Sequence, residues 1–137
     1  MKTIDVFVYG TLKPGGQYHQ TYCAPYLRQA QPAQVQGRLY DLPHLGYPVS
    51  TLGTDWVKGY LFTLDAIALS GLDYLEGYFP PEQSVCQAQN DFIEEYRRQQ
   101  VTVFDRAGQV LGDAWIYMMD SPPEGAIWLA AGEWLTA

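Results

Sequence analysis

Apolar positions fall along the chain in short runs of strand length, separated by glycine and proline. Ile4, Val6, Phe7, Val8 and Tyr9 form the first run. Strand formers at this density predict a β-strand, and Gly10 stops it. Gln34 to Tyr40 predicts a second strand, interrupted by Gly37, and Trp56 to Leu64 a third with Gly59 inside it. Glycines within strands mark bends or bulges of the kind found in barrels. Between these two strands, residues 43 to 55 carry Pro43, Gly46, Pro48 and Gly53 and predict a loop. Residues 17 to 31 are polar and aromatic and predict at most a short helix, limited by Pro25. The period turns helical from Ala66 to Glu76, with Asp65 placed as N-cap and Gly77 as terminator. Pro80-Pro81 blocks continuation, and residues 82 to 91 carry no pattern. Phe92 to Asp105 and Gln109 to Met119 predict two strands joined by a hairpin at Arg106-Ala107-Gly108. Ser121 to Ala137 reads as a proline-led loop and a short apolar segment. Strands thus outnumber helices, and bent strands with one central helix predict an α+β fold, a small mixed β-barrel flanked by short helices. With 137 residues and no repeat or interior linker, one domain over 1–137 is expected.

Charge narrows the partners. Eight Lys plus Arg stand against 15 Asp plus Glu, a net charge of −7, which argues against nucleic acid and anionic membranes, since both need a positive surface. No stretch reaches the roughly 18 to 20 apolar residues of a membrane span. Asp5 interrupts any signal-peptide core, so a soluble cytoplasmic protein is expected. Cys23 and Cys86 are isolated and read as reduced thiols, buried or incidental.

Two places could carry chemistry. The first is the loop from Tyr9 to Gly16, where three glycines and a proline follow the end of a rigid strand. A simple turn at Pro14-Gly15-Gly16 is the competing reading. The second is Glu76. Leu69, Leu72 and position 76 share one helical stripe, widened by Leu75, so position 76 faces the core. Burial and the negative end of the helix dipole would both raise its pKa, which makes Glu76 a candidate general acid or base. Alternatively, a frayed helix end lets it reach solvent or pair with Arg38. Asp73 reads as a solvated surface acid, His19 and His44 as surface residues, and Glu94 to Arg98 as a charged strand face, with Tyr96 able to point inward. The loop lacks a P-loop ending, and neither G-x-G-x-x-G nor G-x-S-x-G occurs.

Tyr9-Gly10-Thr11-Leu12-Lys13-Pro14-Gly15 resembles the loop signature of the γ-glutamylcyclotransferase-like superfamily, also called AIG2-like or BtrG-like. Leu72-Asp73-Tyr74-Leu75-Glu76-Gly77-Tyr78 is similar to its glutamate motif. Tyr96 to Val103, Ala114-Trp115-Ile116-Tyr117 and Gly132-Glu133-Trp134 match in order and approximate spacing along nearly the whole chain. The resemblance implies a barrel with a cavity at one end. Within it, the amides of Gly10, Thr11 and Leu12 would hold a substrate carboxylate, Tyr9 would line the cavity, and Tyr117 would offer a hydroxyl. Glu76 would be the catalytic acid/base. It further implies a γ-glutamylamine cyclotransferase-type reaction on a small-molecule γ-glutamyl substrate, yielding 5-oxoproline and a free amine without metal or organic cofactor, in a monomer or weak dimer. A non-catalytic module that binds small-molecule carboxylates on the same fold is the alternative. A structural partner protein with a vestigial cavity is a weaker third.

Overall fold

The first apolar run forms strand β1, Thr3–Val8, in a computed structural model that describes residues 2–76 and 97–134. Val6, Phe7, Val8 and Tyr9 are all at most 7 % exposed. A strand buried on both faces needs apolar side chains on both, which is why the run is continuous rather than alternating. Phe7 and Tyr9 enter one core cluster with Val35, Val57, Ile116 and Met118, while Val6 and Val8 enter a second with Phe62, Leu72 and Tyr117.

The next two strands are much longer than their sequence pattern predicts. β2, Leu27–Leu42, and β3, Tyr47–Asp65, pair antiparallel over nearly their whole length. The loop predicted for residues 43 to 55 therefore shrinks to 43–46. Pro48 lies within β3 opposite Asp41, and Gly53 falls where the register shifts, Gly37 facing Asp55 and the next residue, Arg38, facing Thr51. The bend expected at Gly37 is present. Gly59 has a different reason: a Cβ there would overlap the Val8 carbonyl oxygen, so it permits the close approach of β1 and β3.

β4, Arg97–Phe104, and β5, Val110–Met118, form the expected hairpin, with Gly108 at a φ of 96° in the turn. Residues 92 to 96 of the predicted strand lie outside the described residues. A two-residue β6, Ile127–Trp128, pairs with the far end of β2. The strand order is β3-β1-β5-β4-β2-β6, and β2 also pairs with β3, so the pairings close into a ring. Since β1 runs parallel to β5 and antiparallel to β3, the sheet is mixed.

Two short helices lie against this ring: α1, His19–Tyr22, and α2, Ala68–Glu76. Helix α2 starts two residues later than predicted. Asp65 does not cap it, because Asp65 closes β3 and its carboxylate accepts a 2.6 Å hydrogen bond from Arg28 Nε. Gly77 lies outside the described residues. No helix among the described residues is long and apolar enough to cross a membrane.

Candidate active site

Where β1 ends, the chain turns sharply. Lys13 N donates to Gly10 O at 3.0 Å and Tyr18 N to Thr11 O at 3.0 Å. Leu12 O accepts from His19 Nδ1 at 2.9 Å, which assigns the proton to that nitrogen. Three successive carbonyls are thereby tied down within the loop. His19 corrects its surface assignment: it is 7 % exposed, packed edge-on against Phe62. A loop that must hold its own carbonyl oxygens needs a buried donor, and an isolated histidine in sequence gives no sign of that duty. His44 is exposed, as expected.

A cavity of about 500 Å³ opens against this turn. Its wall includes Tyr9, Gly10, Thr11 and Leu12 from the turn, Leu75 and Glu76 from α2, Tyr117 from β5, and Tyr47 and Pro48 from the start of β3. All the residues singled out in sequence, Tyr9, Gly10, Thr11, Leu12, Glu76 and Tyr117, border this one space. Pro48 packs so closely on Gly10 that a Cβ there would stand 2.8 Å from its Cγ. Tyr18 and the segment from Leu45 to Pro48 also line it. The family resemblance sets the stretch from Pro43 to Asp55 at the border of the cavity, whereas nothing in the sequence around Tyr18 marks a site.

Glu76 is the cavity's acidic group. Desolvation by burial pushes its pKa up to about 7. Arg38 does not reach it: Arg38 pairs with Asp55 at 3.4 Å and lies over the Trp128 ring, 4.6 Å from its centroid. Burial also raises the pKa of neighbouring groups, and the negative charge of Glu76 adds to the effect, taking the Cys23 thiol up to about 12 and the Tyr9 phenol well above its ordinary value.

Tyr9 is fixed at its tip, donating to Tyr117 O at 2.6 Å and accepting from Ser50 N at 3.1 Å. Tyr117 in turn donates its hydroxyl proton to Asp73 Oδ1 at 2.6 Å. Its phenol pKa is raised by burial first, then by the bond to Asp73. Asp73 is thus not a surface acid. It is 7 % exposed and forms an ion pair with Arg98, Nε to Oδ1 at 3.0 Å. Arg98 lies over the Trp115 ring at 4.3 Å, so the expected charged strand face turns inward there, while Arg97 pairs outward with Asp120. A signal for Asp73 was available. Asp73 stands four residues after Leu69 and three before Glu76, the spacings that place Glu76 inward.

Among the described residues, no three His, Cys, Asp or Glu side chains gather as metal ligands would. The arrangement is a carboxyl group with a raised pKa beside a backbone turn and two oriented phenols. The chain belongs to the gamma-glutamyl cyclotransferase, AIG2-like family, whose model matches residues 6–136. Among solved structures it is similar to an AIG2-like protein from Mus musculus, at 20 % identity and a TM-score of 0.65, covering 91 % of this chain and 83 % of that one. It is also similar to ytfP from Escherichia coli, at 27 % identity and a TM-score of 0.56, covering 96 % of each. YkqA from Bacillus subtilis matches at 20 % identity and a TM-score of 0.66, covering 97 % of this chain, which spans 40 % of that protein. No curated protein sequence matches significantly.

Proposed function

We propose that the chain is a γ-glutamyl cyclotransferase-type enzyme that converts a γ-glutamyl amide into 5-oxoproline and a free amine. The observation that carries this reading is Glu76: its carboxyl group, with a pKa near 7, shares a cavity with the Gly10–Leu12 turn. The turn engages the carbonyls of these residues, and their amides suit a substrate α-carboxylate, since converging backbone N–H groups form an anion site.

Glu76 takes a proton from the substrate's α-ammonium group. The freed amine attacks the γ-carbonyl carbon of the same molecule, forming the ring C–N bond. As the bond to the departing nitrogen breaks, Glu76 returns the proton to it, and the ring nitrogen gives up its second proton to the released amine, which leaves as an ammonium. Because the nucleophile is tethered, holding its conformation does most of the work; well-aligned intramolecular attack reaches effective molarities of about 10⁵ to 10⁸ M. A carboxylate of raised pKa suits proton removal from an ammonium better than an ordinary one. This chemistry needs no metal or organic cofactor.

A panel of γ-glutamyl amides incubated with wild type and Glu76→Gln, followed by chromatography for 5-oxoproline, tests the reading. Wild type should release 5-oxoproline from at least one amide, with turnover lowered about 10² to 10⁴-fold in the variant. Ligands that bind wild type and survive unchanged would instead identify a binding module.

A further inference from the structure

We propose that Asp73, held by Arg98, is a positioning residue that fixes the direction of the Tyr117 hydroxyl and so makes the cavity select ligands carrying a cationic amine. The ligand half of this inference rests on the γ-glutamyl reading of the cavity; the hydroxyl half does not.

A tyrosine hydroxyl has one proton to donate and lone pairs to accept with. Tyr117 commits its proton to Asp73 Oδ1 at 2.6 Å in a buried hydrogen bond. Once the proton is taken, the Tyr117 oxygen can only accept from whatever enters the cavity. The reverse orientation would make it a donor suited to a carbonyl or carboxylate.

Several contacts hold the committed orientation. Arg98 approaches the same Asp73 oxygen at 3.0 Å, with both side chains 10 % exposed. Its guanidinium lies over the Trp115 ring, 4.3 Å from the centroid, joining β4 to β5 beside Tyr117. The backbone carbonyl of Tyr117 accepts from Tyr9 at 2.6 Å, so the residue is held at both main chain and hydroxyl. Asp73 and Glu76 also sit three residues apart on α2, so one helix both orients Tyr117 and carries the cavity's carboxyl group. Together, an accepting Tyr117 oxygen and the Glu76 carboxylate favour a donor-rich group such as an ammonium.

The hydroxyl half is tested without any ligand. In an equal mixture of light and heavy water, a tyrosine labelled at Cζ shows two carbon lines when its hydroxyl proton exchanges slowly. Tyr117, identified by the line lost in Tyr117→Phe, should be split in wild type and merged in Asp73→Asn. A merged line in wild type overturns the proposal. For the ligand half, calorimetric titration compares γ-glutamylethylamide with glutaric acid monoethylamide, the same molecule without its α-amine. The comparison is made in Glu76→Gln and in Glu76→Gln with Asp73→Asn. The preference for the amine should fall about tenfold when Asp73 is replaced, the scale of one charge-assisted hydrogen bond. An unchanged preference overturns the selection. If neither compound binds, the γ-glutamyl reading fails while the carbon spectra still decide the role of Asp73. Should Asp73→Asn not fold, the wild-type spectrum alone decides the hydroxyl half, and Tyr117→Phe, which removes the accepting oxygen, carries the ligand comparison with the same expected fall in preference.

Discussion

Glu76 shows how one misplaced charge links stability to chemistry. Its pKa is about 7 in the folded chain against 4.5 for an ordinary glutamate. Between those values the folded protein holds a proton that the unfolded chain has released. The stabilisation is complete below about pH 4.5 and is lost as pH rises through 7. Replacing Glu76 by Gln should therefore leave stability near pH 4 almost unchanged and raise it at pH 8 by up to about 3 kcal/mol, read from urea unfolding at both pH values. Under the proposed mechanism kcat/KM rises about tenfold per pH unit below 7 and levels off above, because the unprotonated carboxylate is the reactive form. Tyr9 offers a separate test, since its hydroxyl serves Tyr117 O and Ser50 N inside the core. Tyr9→Phe leaves both backbone groups without that partner and should destabilise the fold by about 2 to 4 kcal/mol in urea titrations. The inward stripe containing Glu76 was legible in sequence. Sequence reading misplaces Asp73 at the surface although the same spacing carries it inward, and its partner Arg98 is on β4, so only the fold brings the two together.

Among elements, the β2–β3 hairpin departs most from its sequence pattern. Local propensity sees Pro48 and Gly53 and predicts a loop, whereas antiparallel pairing holds Pro48 opposite Asp41 and leaves Gly53 in the irregularity between the partners Thr51 and Asp55. Tertiary pairing overrides propensity because it supplies hydrogen bonds and burial that the isolated segment cannot. The consequence for the site is direct, since the start of β3 brings Pro48 against Gly10. Gly10→Ala should push Pro48 outward, weakening ligand binding with a small change in melting temperature. Gly59→Ala differs, because its Cβ would overlap backbone at Val8 that cannot move without breaking β1 from β3. It should cost more than about 3 kcal/mol or prevent folding, measured by thermal unfolding.

The whole molecule is a ring whose closure depends on contacts far apart in sequence, β1 against β5 and β2 against β4. The C-terminal segment is tied across it. Lys58 N donates to Gly132 O at 2.7 Å, Leu129 N to Leu39 O at 2.8 Å, and the buried Lys13 Nζ to Trp134 O at 2.5 Å. Burial lowers the pKa of Lys13, and the charge of Glu133 partly opposes this. Lys13→Met should leave the ring of strands folded while hydrogen exchange at the Lys58 and Gly132 amides speeds up about tenfold or more, the sign of local opening. Unchanged exchange would show that the backbone bonds suffice. By itself, the sequence determined what depends on near neighbours: the first strand, the glycine turn after it, the central helix and its inward glutamate, and the hairpin at Gly108. These follow from side-chain period and backbone freedom within a few residues. Only the tertiary structure decided which distant groups meet: His19 under Leu12, Asp73 between Tyr117 and Arg98, and Pro48 over Gly10. Each depends on strand pairing across the ring, where burial and hydrogen bonding outweigh local preference.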